Sequence, residues 1–291
     1  MSQVPVHKQS GEIFSTEELP IRYDLYVPAR SNREQLPVVL FLHGFKGFKD
    51  WGPFPDACED LARIGFAVVA LNFSRNGVGE NPLEFGRLDL FEKETLSQDL
   101  EDVGSVIQAL KRREIASERV RLDSERISVI GHSRGGHTAV AAAAEYSEIQ
   151  CLVTWSAVAD YNARWGEKMI RDWEKDGVTE IKNARTGQVM KMDLVIYEDA
   201  QKNADRLMAL NRVKELYLPA LFLAGREDES VPWRDSEKLY KACPSEIKEF
   251  RLIPSAGHTF GGAHPFEAEE YPEPFQELME QTEKWLQDNV P

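Results

Sequence analysis

Six strand-length runs of almost continuous apolar character recur along this chain: 36–44 (LPVVLFLHG), 66–73 (FAVVALNF), 126–133 (RISVIGHS), 151–157 (CLVTWSA), 219–225 (PALFLAG) and 248–254 (KEFRLIP). A strand with one face in water alternates apolar and polar side chains, so strands without that alternation must be covered on both faces. Between the runs lie segments with helical spacing. Leu96, Leu100, Val103, Ile107 and Leu110 fall on one face, and Phe275, Leu278, Met279, Thr282, Trp285 and Leu286 repeat the pattern near the end. Strand and helix therefore alternate, which predicts an α/β architecture: a mostly parallel sheet with helices on both sides. The run 21–28 (IRYDLYVP) does alternate and is expected as an outer, antiparallel strand. In such sheets chemistry gathers in the loops beyond the carboxyl ends of the strands.

With 291 residues, 42% of them hydrophobic, and no internal repeat or linker-like tract, one large domain is expected. The formal charge of −14 is spread among mixed acidic and basic residues, leaving no basic stripe for a phosphate backbone, so nucleic acid is not an expected partner. Neither a secretory leader nor a run of about 18 apolar residues is visible, so no membrane contact is expected and a cytoplasmic location is. Cys58, Cys151 and Cys243 are widely separated and odd in number, which suits unpaired packing thiols. A homodimer is compatible with the composition, which does not set the oligomeric state.

Residues 158–217 separate two late core strands by far more than an ordinary connection. They are expected to form a structured insertion, a lid over the active face, with residues 1–157 and 218–291 as the core. Within it, RWGEKMIRDWEKDG reads as a helix ended by Gly177, TEIKNARTGQVMKM as a turn or hairpin around Thr186-Gly187, and YEDAQKNADRLMALNRV as further helix. Trp155, Trp165 and Trp173 are candidates for the cleft wall beneath, with His132 and His264 beside them.

The stretch RISVIGHSRGGHTAVAAAA places Gly131-x-Ser133-x-Gly135 between an apolar run and an alanine-rich helix. A serine at such a junction occupies a strained turn that lifts its hydroxyl above the sheet, and glycines on either side remove Cβ atoms where strand and helix approach. Chance supplies about 0.07 such pentapeptides in a chain of this composition, so the flanking strand and helix carry the specificity. A serine hydroxyl is a weak nucleophile at neutral pH and needs a base, which in turn needs an acid to hold its tautomer. In LFLAGREDESVP the strand ends at Gly225, and Asp228 fits the acid best, with Glu227 and Glu229 as alternatives. In FRLIPSAGHTFGGAHPF the last core strand leads to His258, preferred as the base over His264. The order Ser133, Asp228, His258 is that of an α/β-hydrolase. For the oxyanion, Arg134 offers one backbone N–H directly after the serine, and Phe45 in FLHGFKGFKDW a second, with Lys46 next in line.

The segments FLHGFKG, IGHSRGG, GREDESVP and GHTF, in that order, resemble an α/β-hydrolase fold serine esterase of the dienelactone-hydrolase-like, feruloyl or cinnamoyl esterase branch, over about residues 12 to 290. The resemblance implies an eight-stranded sheet, a Ser-His-Asp triad and no cofactor. Dienelactone hydrolases proper use a cysteine where this chain has Ser133, which points away from dienelactone chemistry. The expected reaction is hydrolysis of a small to medium acyl or aryl ester through an acyl-enzyme, the ester being the expected small-molecule partner. Thioester, amide or acyl-transfer chemistry on the same residues, or a non-catalytic binding role for the fold, are the alternatives. A peptidase of the prolyl oligopeptidase type ranks lower because no propeller-forming half is seen. A metal site built from His258, His264, Asp228 and Glu229 matches no zinc spacing, so no metal is expected.

Overall fold

A computed structural model describes residues 4–290. Its main sheet has eight strands: β1 Val6–Phe14, β2 Pro20–Pro28, β3 Leu36–Leu42, β4 Ala67–Leu71, β5 Leu122–His132, β6 Ile149–Trp155, β9 Ala220–Gly225 and β10 Lys248–Ile253, while β7 Val178–Lys182 and β8 Val189–Asp193 form a separate hairpin. The order across the main sheet is β1-β2-β4-β3-β5-β6-β9-β10. Six neighbouring strands from β4 to β10 run parallel, and β2 is antiparallel to both β1 and β4. The six apolar runs are the six parallel strands, and every residue of β3, β4 and β9 is buried, as doubly covered strands require.

The strand that hydrophobic pattern does not reveal is β1. It pairs along its whole length with β2, from Val6 opposite Pro28 to Phe14 opposite Pro20, yet only Ile13 in it is buried. An edge strand with water on both sides has no reason to carry an apolar repeat.

Two layers of helices cover the sheet. On one side the helices Leu96–Lys111 and Arg134–Glu145 bury a cluster that includes Leu100, Val103, Ile107 and Val140, and on the other the helices Phe54–Arg63 and Glu273–Asn289 bury one with Leu61, Phe275, Leu278 and Leu286. Every apolar position expected on the two periodic helix faces is buried, Thr282 with them.

Residues 158–217 contain the helix Glu167–Asp176, stopped by Gly177 at φ +70°, the β7–β8 hairpin, and short helices over Leu194–Lys202, Ala204–Leu207 and Ala209–Arg212. Their first half packs in a small separate cluster, where Trp173, Met190, Met192 and Ile196 meet Phe48 from the loop after β3 and Phe91 from the short helix Leu88–Phe91. Their second half does not stand apart. Leu207, Met208, Ala209 and Val213 belong to the main core cluster beside the helix Arg134–Glu145, so packing joins what the boundary at 217 divides.

Candidate active site

The carboxyl ends of β3, β5, β9 and β10 lead directly into the loops that carry Phe45, Ser133, Asp228 and His258. At the β5 terminus Ser133 sits at φ +58°, ψ −117°, outside the regions L-residues favour. The backbone around it enforces that geometry: its N–H donates to the Trp155 carbonyl at 2.8 Å and its carbonyl accepts from His137 N–H at 3.1 Å. A Cβ on Gly131 would stand 2.2 Å from the Gly135 carbonyl oxygen, and one on Gly135 would stand 2.3 Å from the Leu42 carbonyl oxygen. Backbone cannot retreat from such contacts as a side chain can. Gly131→Ala is therefore expected to destabilise the fold by about 3 kcal/mol, seen as a fall in melting temperature of roughly 6 °C or more; an unchanged melting curve would contradict the close approach.

His258 spans the gap between serine and acid. Its Nε2 is 3.0 Å from Ser133 Oγ and its Nδ1 is 2.8 Å from Asp228 Oδ2. The other carboxylate oxygen, Oδ1, accepts from the backbone N–H groups of Ser230 at 2.9 Å and Val231 at 2.8 Å. Burial alone would push the Asp228 carboxyl up, but the hydrogen bond and charge of His258 and the Val231 N–H hold it below the usual carboxylate range. Glu227 and Glu229 point to solvent, so of the three acids in this loop only Asp228 is buried. The acid and histidine loops are tied by backbone hydrogen bonds, Arg226 N–H to the Ile253 carbonyl at 3.0 Å and Glu227 N–H to the Ala256 carbonyl at 2.9 Å.

The loop after β3 closes on the serine from the other side. A Cβ on Gly44 would stand 3.0 Å from the Ser133 Cβ, so the 43–47 turn has no space to spare there. His43 is fixed within it: Nδ1–H donates to the Gly44 carbonyl at 2.9 Å, and Nε2 accepts from Phe73 N–H at 3.3 Å. Burial lowers its pKa to about 4, which keeps it neutral. The Phe45 N–H makes no backbone hydrogen bond among the described residues, and Arg134 opens its helix, where an N–H has no acceptor four residues back. Neither N–H is spent on another backbone group among the described residues.

Sequence reasoning placed value on the Arg134 backbone and missed its side chain. The guanidinium is buried, donates from Nε to Asp99 Oδ2 at 2.7 Å, and lies 3.4 Å from Glu94 Oε2. Its carbon sits 5.6 Å from the centre of the Phe45 ring and 5.6 Å from that of Tyr161. Burial drives the carboxyls up, Glu94 to about 8 and Asp99 to about 6, against the pull of Arg134. One arginine side chain therefore bridges the Phe45 and Tyr161 rings at the start of the helix that follows Ser133. The readable signal was Asp99 and Asp102, two acids set among the apolar positions of the helix Leu96–Lys111 and both fully buried.

Of the candidate pocket residues, the structure brings two to the cleft. Trp165 lines a cavity of about 520 Å³ with Ser133, Tyr161 and Met192, and His132 lines a second of about 400 Å³ with Ser133, Trp51 and Phe54. Trp155, in contrast, is a core residue: it is wholly buried against Phe41 and Phe275, and its Nε1–H donates to Thr282 Oγ1 at 3.1 Å. Being the last residue of β6, its side chain points into the sheet's helix layer rather than to the loops. Trp173 packs behind Trp165 at a ring separation of 5.2 Å. His264 stands behind the second cavity, stacked on Trp51, where its Nδ1 accepts from Gly52 N–H at 2.9 Å. No group of three or more metal-binding side chains occurs among the described residues, and none of their helices is long and apolar enough to cross a membrane.

His132 also touches the histidine loop. Its Nε2–H donates to the His258 carbonyl at 2.9 Å, and burial lowers its pKa to about 3, so it stays neutral beside His258. His43 and His137, both held down to about 4 by burial, stay neutral as well.

Comparison with known proteins places the fold. The Est1E structure from Butyrivibrio proteoclasticus with ferulic acid bound superposes with a TM-score of 0.73 over 96% of this chain and 99% of that one, at 22% identity. The rat (Rattus norvegicus) acylamino-acid-releasing enzyme is 23% identical over 234 residues, 78% of this chain and 29% of that protein. An uncharacterized 31.7 kDa Escherichia coli protein from the traX-finO intergenic region is 30% identical over 124 residues, 43% of this chain and 38% of that protein. The chain thus spans about a third of the length of these curated relatives. The profile of the prolyl oligopeptidase family matches residues 61–275, which run from the first helix through the serine, acid and histidine loops. The family is the one whose peptidases rank below esterases on sequence, and the match spans core strands and residues 158–217 alike. The chain belongs to the prolyl oligopeptidase family and is a serine hydrolase of the α/β-hydrolase fold.

Proposed function

We propose that the protein hydrolyses carboxylic esters of small to medium acyl or aryl groups through an acyl-enzyme on Ser133. The observation that carries this reading is His258 within hydrogen-bond reach of both Ser133 Oγ, at 3.0 Å, and Asp228, at 2.8 Å. As Oγ attacks the ester carbonyl carbon, His258 Nε2 takes its proton, and Asp228 keeps Nδ1–H in place and offsets the charge on the ring. The oxygen that becomes negative is met by the N–H groups of Phe45 and Arg134. Collapse breaks the ester C–O bond, and the alcohol leaves with the proton from His258. A water then gives its proton to His258 and attacks the acyl carbon, which frees the acid and restores the serine.

Residues 158–217 serve in this reading as the lid. Tyr161, Trp165, Met169 and Met192 contribute to one cavity at Ser133, while Asn183 and Arg185 at the β7–β8 tip contribute to the other. Two cavities meeting at one serine suit a substrate with two halves, and the ferulic acid held by Est1E on the same fold is compatible with an aromatic half. The test is hydrolysis of 4-nitrophenyl acetate, butyrate and octanoate. Turnover of the shorter esters is expected, and no turnover of any of the three would sink the ester reading. Likeness to the acylamino-acid-releasing enzyme favours a second reading, hydrolysis of an acylated amide, for which turnover of acetylalanine 4-nitroanilide in place of the esters would speak.

A further inference from the structure

The cavity of about 400 Å³ on the Trp51 side of Ser133 has a one-sided polar wall. Its charged lining residues are Lys46 and Arg185, with no carboxylate among them, in a chain that carries 49 acids against 35 lysines and arginines. Neither cation has an acidic partner among the described residues. Asp50, beside Trp51 in the chain, is already paired with Lys49 at 2.7 Å and Lys8 at 3.7 Å. Arg185 is steadied without neutralisation, its guanidinium carbon 5.4 Å from the Phe48 ring centre and 5.8 Å from that of Phe85.

A third donor makes this a built site. Asn183 lines the same cavity, is 4% exposed, and its Nδ2 has no hydrogen-bond partner. Its Oδ1 is occupied, accepting from the Arg185 N–H at 3.0 Å, so the amide is held with its N–H₂ unspent. Left unpaired, that buried donor costs free energy, and it stands in the same wall that carries Arg185. Half-buried Lys46 shows the same want of a counter-charge, its pKa lowered by burial with no carboxylate to oppose it. The donors have one complement in common, an anionic oxygen group, while Trp51 and Phe54 offer the flat apolar surface that would flank it.

We propose that this cavity takes a carboxylate or phosphate group borne by the substrate, so that the preferred ester is an anion; the proposal rests on the ester-hydrolase reading. Lys46, Asn183 and Arg185 are the specificity-determining residues. The anion's charge-assisted hydrogen bonds replace the missing internal partners, and the reacting carbonyl is thereby set at Ser133 next to the same wall.

The experiment compares kcat/KM for matched esters. One pair is 4-acetoxybenzoate and its methyl ester, with the charge on the alcohol half; another is mono-4-nitrophenyl glutarate and 4-nitrophenyl butyrate, with the charge on the acyl half. 4-Acetoxyphenyl phosphate against 4-acetoxyanisole tests phosphate. At least one anion is expected to exceed its neutral partner by about tenfold or more, and Arg185→Gln to reduce that ratio by about tenfold, as the loss of a hydrogen bond to a charged group would. Arg119→Gln, a change of equal charge far from the site, should leave the ratio as it is. Anions at or below their neutral partners, or equal ratios in Arg185→Gln and Arg119→Gln, would overturn the proposal. If no ester of either kind turns over, the ester reading has failed, and calorimetry with 4-ethoxybenzoate then decides the anion site by itself. Binding that Arg185→Gln weakens about tenfold sustains it, and no binding at millimolar concentration overturns it.

Discussion

Ser133→Ala is expected to lower ester turnover by on the order of 10⁶-fold while leaving the melting temperature within roughly 2 °C of the parent protein. The loss is large because the oxygen that would bond to the substrate is gone, leaving His258 and Asp228 with no serine to activate. The fold is spared because the hydroxyl holds nothing else together. Its one hydrogen-bond partner among the described residues is His258 Nε2, and the turn is fixed by main-chain bonds to Trp155, His137 and Val158 that alanine keeps. Alanine meets the same φ of +58° with a Cβ that serine already has. Both readouts are needed: turnover with 4-nitrophenyl butyrate and a thermal melt. Activity retained within tenfold would remove Ser133 from the nucleophile's place, and a collapsed melt would assign it to the fold.

Asp228→Asn is expected to cost on the order of 10⁴ in kcat by changing which ring nitrogen of His258 carries the proton. The carboxylate takes Nδ1–H on Oδ2 and two backbone N–H groups on Oδ1. An asparagine can satisfy the backbone donors with its carbonyl oxygen, which turns its N–H₂ toward Nδ1. The histidine must then accept at Nδ1 and carry its proton on Nε2, where it can no longer receive one from Ser133. KM should move little, since Asp228 lies below the ring and away from both cavities. Glu227→Gln is the internal comparison, an exposed acid one residue away whose loss should change kcat by less than about twofold. A damaging Glu227→Gln beside a harmless Asp228→Asn would transfer the acid's role.

How much of this could be read from the chain varies with what kind of physics each part obeys. The parallel strands and the two helix faces announce themselves because burial on both sides, or on one stripe, leaves a periodic apolar trace. β1 leaves none, because backbone pairing to β2 orders it while its side chains stay wet. The serine, acid and histidine were legible because each follows a strand end at a point where glycine or a turn marks the loop. Asp228 was preferred to Glu227 and Glu229 from its place in the loop, and the coordinates add the physical reason, that it alone of the three adjacent acids turns inward. Tryptophans misled: Trp155 and Trp165 look alike as cleft residues, yet one ends a core strand and the other lies in the insertion. Arg134 shows a different limit. Its backbone place followed from the motif, but its side-chain contacts with Glu94, Asp99 and Tyr161 join segments as far as 40 residues away, and no local spacing records them.

The identity of the residue that becomes covalently acylated is settled most directly by treating the protein with a serine-directed fluorophosphonate, weighing the intact chain and mapping the adduct by peptide sequencing. One adduct per chain on Ser133, absent from Ser133→Ala and much slower to form in Asp228→Asn, is the expected result. An adduct on another residue, or none on a protein that still hydrolyses esters, would contradict the assignment of Ser133 as the nucleophile.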